Sequence, residues 1–373
     1  LADVKYNFFR GVQKIRSEVS ARPGEKVTVP ETRGESGMVV YAVEILAGDQ
    51  TSGKVSVETY VGPETPGAPA DVALTMTDGQ FVVSWSAPAK GTHGVTLDPS
   101  RLSYTVTRVL DGERIVVAQK TTATSFSEQL TPDGLQNLSY SVTASYGTAA
   151  KVSDPAECAP MRIGSLELPF ADSFAGAVLS PLWTNEIVSG SDYPNYYWQT
   201  VAEATTSKVK TQPFDADSGL LIYKSYNCQN GSVARLSTPP LAFASGMKPV
   251  LNFAMYHIDS NRRNDITKVQ ISCDYGEWTD VPGAEFGPVD PDGTLGWKNH
   301  SVNLEEAIPA GTKTFRVALL AVSDYGEDMA LDNVRLFNLV EKDLEIAVMS
   351  APESVKAGNE IEITLKVSNN GSA

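Results

Sequence analysis

Two aspartates lie within apolar strand patterns, and their position requires a chemical explanation. In the segment MALDNVRLF, alternation puts Asp332 on one strand face. The same face would hold Ala330, Val334 and Leu336. In LELPFADSF, alternation likewise puts Asp172 among apolar residues. Because an ionised acid buried without a partner is costly, each carboxylate must be hydrogen-bonded, paired or bound to a metal.

A second group of candidates lies in polar loops that contain tyrosine or arginine. SGSDYPNYYWQ contains Tyr193 and Tyr196, VSDYGED contains Tyr325, and IDSNRRND contains Arg262. Exposed tyrosines offer a large contact area with a polar handle, which suits carbohydrate or protein surfaces. We predict that these four residues bind a ligand. The alternative is that Trp198 and one tyrosine enter the core while the other tyrosines cover it.

The sequence contains no recognisable catalytic motif. It has no Gly-x-Ser-x-Gly elbow, no local Cys–His signature and no phosphate-binding glycine loop ahead of a helix. The three cysteines are widely spaced, which indicates neither a disulfide framework nor a zinc site. His257 shares strand parity with Phe253 and Met255, so we predict a core or strand-end histidine. The chain is therefore predicted not to be an enzyme.

The overall charge narrows the class of partner. Lys and Arg number 30 against 45 Asp and Glu, a formal net charge of -15, and no basic cluster interrupts the acidity. Nucleic acid is an unsuitable partner, because phosphate binding requires clustered cations. A cation such as calcium suits this surface better. No apolar run approaches the roughly 20 residues of a membrane span.

The strands that position these candidate residues are predicted from short runs in which apolar and polar residues alternate. Runs such as FVVSWSAP, LNFAMYHI and TFRVALLAV recur between Gly, Pro, Asn and Asp clusters, with almost no helix signal. This spacing predicts an all-β chain of tandem β-sandwiches. Breaks in composition predict four domains: 1–62 as a partial Ig-like sandwich, 68–160, 161–340, and 341–373 as the first strands of a further Ig-like domain.

Residues 68–160 resemble a fibronectin type III domain. The resemblance is carried by APADVALTMTDGQFVVSWSAP with Trp85, LSYTVTRV with Tyr104, and LQNLSYSVTASYG with Tyr140. It implies that Trp85 and Tyr140 belong to the core of an Ig-like sandwich.

Residues 161–340 resemble the cleaved-adhesin and MAM-like jelly rolls, which share a concanavalin-like sandwich. The order of LPFADSF, STPPL, SCDYGEW and LDNVRL carries the resemblance. Jelly rolls of this kind usually pair the first and last strands, which would bring Asp172 and Asp332 together and raise their pKa unless a cation intervenes. Calcium prefers such oxygen ligands, so a structural calcium site is expected. The alternative is that each Asp accepts backbone amides at a strand end.

The terminal segments resemble incomplete Ig-like sandwiches, and the chain is expected to be a piece of a longer array. Strands of residues 344–370 could complete the open sandwich of residues 1–61 by strand exchange, within one molecule or between two.

These resemblances imply a secreted or cell-surface bacterial protein for adhesion or ligand binding. Its jelly roll would bind a carbohydrate or an extracellular protein, with the sandwiches as spacers. Two alternatives are a purely structural array and the accessory modules of a larger secreted hydrolase.

Overall fold

The computed structural model describes residues 4–22, 24–32, 36–148, 151–215, 218–262, 264–340, 344–350, 352, 354, 358, 361 and 363–369. These residues form an all-β protein, which confirms the predicted fold class. They contain no α-helix. Besides the strands, the same residues form five short 3-10 turns: Pro99–Arg101, Ala175–Ala177, Pro194–Tyr196, Ser225–Asn227 and Glu305–Ala307. Within these ranges, no helix has the length and apolar character needed to cross a membrane.

The chain divides into two compact units. The first comprises Leu1–Leu74, Val82–Ser127 and Ser139–Pro160. The second comprises Thr75–Phe81, Glu128–Leu138 and Met161–Ala373. The four domain ranges proposed from the sequence stay a prediction.

The first unit opens with one antiparallel sheet of order β2-β1-β3-β4, in which β5 also pairs with β3. Phe9 and Val39 are buried, whereas Met38 and Val57 are 56% and 61% exposed. Apolar side chains of this sheet therefore remain open to solvent. Its strands are β1 (Val4–Arg10), β2 (Gln13–Ala21), β3 (Gly37–Ala47), β4 (Gln50–Thr51) and β5 (Val55–Val61).

The next eight strands form two sheets. One has the order β10-β7-β6, and the other has the order β12-β11-β8-β9 with β13 on β11. Trp85 and Tyr140 are 5% and 0% exposed, so the predicted core positions of both are confirmed. The strands are β6 (Ala70–Thr77), β7 (Gln80–Ser86), β8 (Leu102–Leu110), β9 (Glu113–Thr121), β10 (Ser125–Glu128), β11 (Gln136–Tyr146), β12 (Ala156–Glu157) and β13 (Met161–Ile163).

The second unit contains a larger sandwich of two six-stranded sheets. The β27 sheet has the order β16-β19-β27-β22-β25 with β14 on β27, and the β26 sheet has the order β15-β20-β26-β23-β24 with β21 on β26. Their strands are β14 (Phe170–Asp172), β15 (Thr184–Ser189), β16 (Gln199–Val201), β19 (Leu220–Tyr223), β20 (Val233–Ser237), β21 (Leu241–Ala242), β22 (Pro249–His257), β23 (Ile266–Cys273), β24 (Thr279–Phe286), β25 (Gly296–Asn303), β26 (Thr314–Val322) and β27 (Met329–Asn338). A separate two-stranded sheet pairs β17 (Ala204–Thr205) with β18 (Lys210–Thr211).

The core of this sandwich follows from strand alternation. Every second residue of β22 and β26 points inward, so Phe253 and Met255 join Val317 and Leu319 in one buried cluster. Full burial of each large side chain contributes about 1.5–3 kcal/mol. His257 belongs to the same parity and is 2% exposed, as predicted.

A second apolar layer covers the other face of the β27 sheet. The hairpin β17–β18 contributes Ala204, and the adjacent Val209 packs with it against Leu220, Ile222 and Ala330. The β27 sheet is therefore buried on both faces near β19, which explains the continuous apolar run LLIY of that strand.

The last two described strands are β28 (Leu344–Ser350) and β29 (Thr364–Asn369), which pair antiparallel as a two-stranded sheet. Ile363, Leu365 and Val367 alternate along this segment and are 49%, 51% and 61% exposed.

Candidate functional site

The strands that carry the two candidate metal ligands are neighbours. β14 pairs with β27, and Asp172 lies opposite Val334. The Oδ1 and Oδ2 atoms of Asp172 accept hydrogen bonds from the Phe174 amide at 2.8 Å and from the Trp183 indole at 2.7 Å. Because Phe174 and Trp183 belong to the main core, Asp172 faces the space between the sheets.

Asp332 faces the opposite side of the β27 sheet. Its Oδ2 accepts a 2.7 Å hydrogen bond from the amide of Phe214, whose ring packs against Trp297 beside the outer layer. Its Oδ1 accepts a 2.6 Å hydrogen bond from the Asn333 amide.

A β-bulge explains why the predicted common face of Ala330, Asp332, Val334 and Leu336 is wrong. Asn333 has a φ of 46°, and the register against β22 shifts between Asn252 and Ala254. Val334 and Leu336 therefore enter the main core, whereas Ala330 packs in the outer layer.

The two aspartates are thus not brought together around one point. Each accepts backbone amides, which was the alternative to a metal. Within the described ranges, no group of three or more His, Cys, Asp or Glu side chains is placed to hold a metal ion. Calcium binding by Asp172 and Asp332 stays a prediction.

The predicted ligand-binding residues Tyr325 and Arg262 do meet, at one end of the second-unit sandwich. The Tyr325 side chain is 51% exposed and stacks on Tyr226, with ring centroids 5.4 Å apart and planes 24° apart. The Arg262 Nη1 atom donates a 3.0 Å hydrogen bond to the Tyr325 carbonyl. On the same stack, the Lys208 ammonium lies 4.3 Å from the centroid of the Tyr226 ring. We call Tyr226, Tyr325, Arg262 and Lys208 the tyrosine platform.

The loop that carries Tyr193 lies against the turn that carries Tyr226. Tyr193 is 64% exposed and packs on Tyr196, with ring centroids 6.4 Å apart. The hydroxyl of Tyr196 accepts a 3.1 Å hydrogen bond from the amide of Gln229. Tyr196 is only 7% exposed and belongs to the core, as does Trp198. The contact role predicted for Tyr196 is therefore reduced to supporting Tyr193.

A buried carboxylate fixes the loop of Tyr325. Asp265 is 0% exposed, and it accepts hydrogen bonds from the amides of Asp324 at 2.9 Å, Gly326 at 3.3 Å and Glu327 at 2.6 Å. The Ser225 hydroxyl also donates to it. The loop is wrapped so closely that a Cβ atom on Gly326 would lie 2.0 Å from Asp265 Oδ2.

This support holds Tyr325 in an unfavourable backbone conformation. Its φ is 55°, in the left-handed region that non-glycine residues rarely adopt. Such conformations cost of order 1–3 kcal/mol, persist only where neighbouring contacts enforce them, and cluster at functional sites. The hydrogen bonds to Asp265 supply that enforcement.

Asp324 joins the three loops of this end. Its two carboxylate oxygens accept hydrogen bonds from the amide groups of Asn230 at 2.7 Å and Asn264 at 2.9 Å. The loop backbones are also paired, since Gly231 donates to the Ser323 carbonyl at 2.8 Å and Ser323 donates to the Ser232 carbonyl at 2.9 Å. The platform is therefore preorganised.

A cavity of about 300 Å³ is lined in part by Asn227 and Asp328, which directly follow Tyr226 and Glu327 in the chain. Its apolar floor consists of Val201, Ala204 and Ile222. The buried carboxylate of Asp328 lines it and accepts a 3.1 Å hydrogen bond from the Tyr226 amide, while burial raises the pKa of Asp328. The remaining lining is polar: Glu203, Thr205, Thr206, Ser207, Lys224 and Asn227.

Tyr226, Lys208 and Asp265 were not among the residues predicted from the sequence. Tyr226 lies in the polar turn KSYNCQNG, which is the same kind of signal that selected Tyr193. Asp265 gave no local signal, because its partner Glu327 is 62 residues away along the chain.

No protein-family model and no curated protein matches this chain. Similar solved structures include the carbohydrate-binding module TmCBM61 in complex with β-1,4-galactotriose, at 16% identity over 44% of this chain and 94% of that chain, with a TM-score of 0.31. The K1 cleaved adhesin domain of Lys-gingipain from Porphyromonas gingivalis W83 is 18% identical over 45% of this chain and 97% of that chain, with a TM-score of 0.33. The C-terminal family 22 carbohydrate-binding module of Clostridium thermocellum Xyn10B is 15% identical over 45% of this chain and 91% of that chain, with a TM-score of 0.27. At these identities and TM-scores, the similarities carry no argument about what this chain does.

Proposed function

We propose that this chain is a non-catalytic, secreted or cell-surface adhesion protein whose second unit binds carbohydrate through the tyrosine platform and the adjacent cavity. The observation that carries the proposal is the stacked, half-exposed Tyr325, which a fully buried Asp265 holds in a strained conformation. A strained backbone conformation of this kind costs free energy, and a loop that only covers a core has no need of it.

The chemistry of this end favours a sugar. A pyranose ring has an apolar C–H face that stacks on an aromatic ring and an edge of hydroxyls that exchange hydrogen bonds. The platform offers the exposed ring of Tyr325, and the neighbouring loop offers the exposed ring of Tyr193. The cavity offers an apolar floor with carboxylate, hydroxyl and amide groups around it. The net charge of -15 disfavours polyanions such as nucleic acid.

The proposal also covers the wider molecule. The sandwiches of the first unit would act as spacers, and strand exchange would join copies through their terminal segments. An extracellular protein ligand, a purely structural array and an accessory role beside a hydrolase are the competing functions.

The test is binding of the full chain to an array of glycans and matrix proteins, in calcium and again in chelator. We expect glycan binding that falls at least tenfold in the Tyr325→Ala variant and severalfold in Tyr193→Ala. Leu295→Ala is the matched control, because Leu295 is 64% exposed in the same unit and should leave binding unchanged.

Three outcomes would go against the proposal. Binding only to matrix proteins would favour a protein ligand, and silence across the array from a folded chain would favour the spacer function. Glycan binding that survives both tyrosine variants would place the site elsewhere.

A further inference from the structure

A pair of histidines lies at the base of the loop that supports the platform. His257 ends β22 and His300 lies on the neighbouring strand β25. Their Nε2 atoms are 2.8 Å apart, and the ring centroids are 5.1 Å apart. Two rings joined end to end in this way share one N–H···N hydrogen bond, in which one histidine donates and the other accepts.

Aromatic side chains pack against the histidine pair, and charged side chains also face it. His257 is 2% exposed, and the rings of Phe253 and Phe286 lie 5.4 and 4.7 Å from the His300 ring. The charged groups that face the histidines are Asp290 and Lys298, and the Lys298 Nζ atom lies 2.7 Å from the Asp290 Oδ2 atom. Lys298 also pairs with the exposed Asp292 at 3.0 Å.

Only one hydrogen atom fits between the two Nε2 atoms. If both imidazoles were protonated, two N–H groups would face each other at 2.8 Å, and the pair would have to separate. A single added proton is also unfavourable, because burial and the Lys298 ammonium oppose it more strongly than the Asp290 carboxylate favours it. Burial lowers the pKa of both histidines, and burial together with the charges of His257 and Lys298 lowers the pKa of His300 to about 4.

The loop after His257 connects this pair to the platform. The Ile258 amide donates a 2.8 Å hydrogen bond to the Pro288 carbonyl, which fixes the start of the loop. The same loop carries Arg262, which bonds to the Tyr325 backbone, and Asp265, which binds the amides of the Tyr325 loop.

We propose that His257 and His300 form an acid-sensitive latch that regulates ligand binding. At neutral pH the shared hydrogen bond holds the base of the 258–265 loop closed and keeps Tyr325 presented. On acidification, the form with separated rings takes up protons more readily than the closed pair, so the rings separate, this loop loosens and ligand binding weakens. The inference rests on the proposed function for its effect on binding, whereas the latch itself is independent of any ligand.

The expected size of the effect follows from proton linkage. An imidazole freed by opening has a pKa near 6.5, whereas His300 in the closed pair has a pKa of about 4. The open form therefore binds more protons between these values, and opening becomes more favourable as the pH falls. For His300 alone, the opening equilibrium shifts about 30-fold between neutral pH and pH 5.

The test is hydrogen exchange of the full chain without ligand, expressed as protection factors near pH 7.5 and pH 5. We expect protection of residues 258–262, 264–265 and 324–327 to fall about 30-fold on acidification, while the core strand β26 stays protected. His300→Gln should respond much less, because an amide can still donate to His257 but cannot titrate. His93→Gln, which changes the one histidine of the first unit, should respond as the wild type does.

Unchanged protection in the wild type, or an undiminished response in His300→Gln, would overturn the latch. Should His300→Gln not fold, nuclear magnetic resonance titration of the wild-type histidines replaces it, and a His300 pKa near 6.5 with a closed loop would overturn the latch equally.

Glycan binding at the two pH values separates the two proposals. Opening at pH 5 accompanied by weaker glycan binding supports the regulation. Opening without loss of an established binding overturns it, and opening in a chain that binds no glycan means that the proposed function has failed while the latch stands.

Discussion

At the scale of single residues, the buried Asp265 determines the geometry of the candidate site. Among the described residues, its carboxylate oxygens accept hydrogen bonds from amide and hydroxyl donors of two other loops. A carboxylate that accepts several such bonds can be buried without an ion pair, because its charge is spread over oriented dipoles. The rigidity of the loop that presents Tyr325 therefore originates in the buried Asp265 carboxylate.

Removing the Asp265 carboxylate should lower the stability of the protein. Asp265→Ala leaves the amides of Asp324 and Glu327 buried without an acceptor, so we expect the free energy of unfolding to fall by about 2–4 kcal/mol. Urea denaturation measures the loss. Asp259→Ala, an exposed aspartate of the same loop, is the control and should stay within about 0.5 kcal/mol of the wild type. Equal stability of the two variants would contradict the role assigned to Asp265.

At the scale of elements, the sequence predicted strands well and their faces less well. Alternation along β22 correctly indicated that Phe253, Met255 and His257 are buried. The same rule failed at Asp332, because one bulged residue in β27 reverses the parity of everything before it. LDNVRL contains no glycine to mark that bulge, and its left-handed residue is Asn333, a residue type that adopts this conformation more readily than most but not regularly.

The candidate site shows the same limit. Loop composition selected Tyr193, Tyr325 and Arg262 as candidates for ligand contact, a role that stays a prediction. It was not enough to separate Tyr193 from the buried Tyr196, three residues away, or to find Asp265. Both distinctions depend on contacts between loops that are distant in sequence.

The bulge itself is testable through its left-handed residue. Asn333 has a φ of 46°, which glycine adopts freely and β-branched residues strongly resist. We expect Asn333→Val to lower the free energy of unfolding by about 1–2 kcal/mol more than Asn333→Gly does. Chemical denaturation of the two variants side by side measures the difference. Equal destabilisation would mean that β27 runs straight through this position.

At the scale of the whole molecule, the described residues leave apolar surface open on the first sheet and along β29. The first sheet has a groove of about 530 Å³ lined largely by apolar residues, among them Phe8, Phe9 and Val57. In the last hairpin, Ile363, Leu365 and Val367 are about half exposed on alternate positions. Covering an exposed apolar sheet face is favourable, so the proposed strand exchange between copies would offer each surface a partner.

Strand exchange predicts concentration-dependent association of the full chain, measured by light scattering. A chain ending at residue 340 should be monomeric, because it lacks the hairpin. Leu365→Asp should also abolish association, since Leu365 is exposed and its replacement puts a charge where the apolar contact would form. Thr364→Asp, which places the same charge on the other face of β29, is the matched control and should still associate. A full chain that stays monomeric at every concentration, with a melting temperature unchanged by the truncation, would show that the two surfaces do not pair with each other.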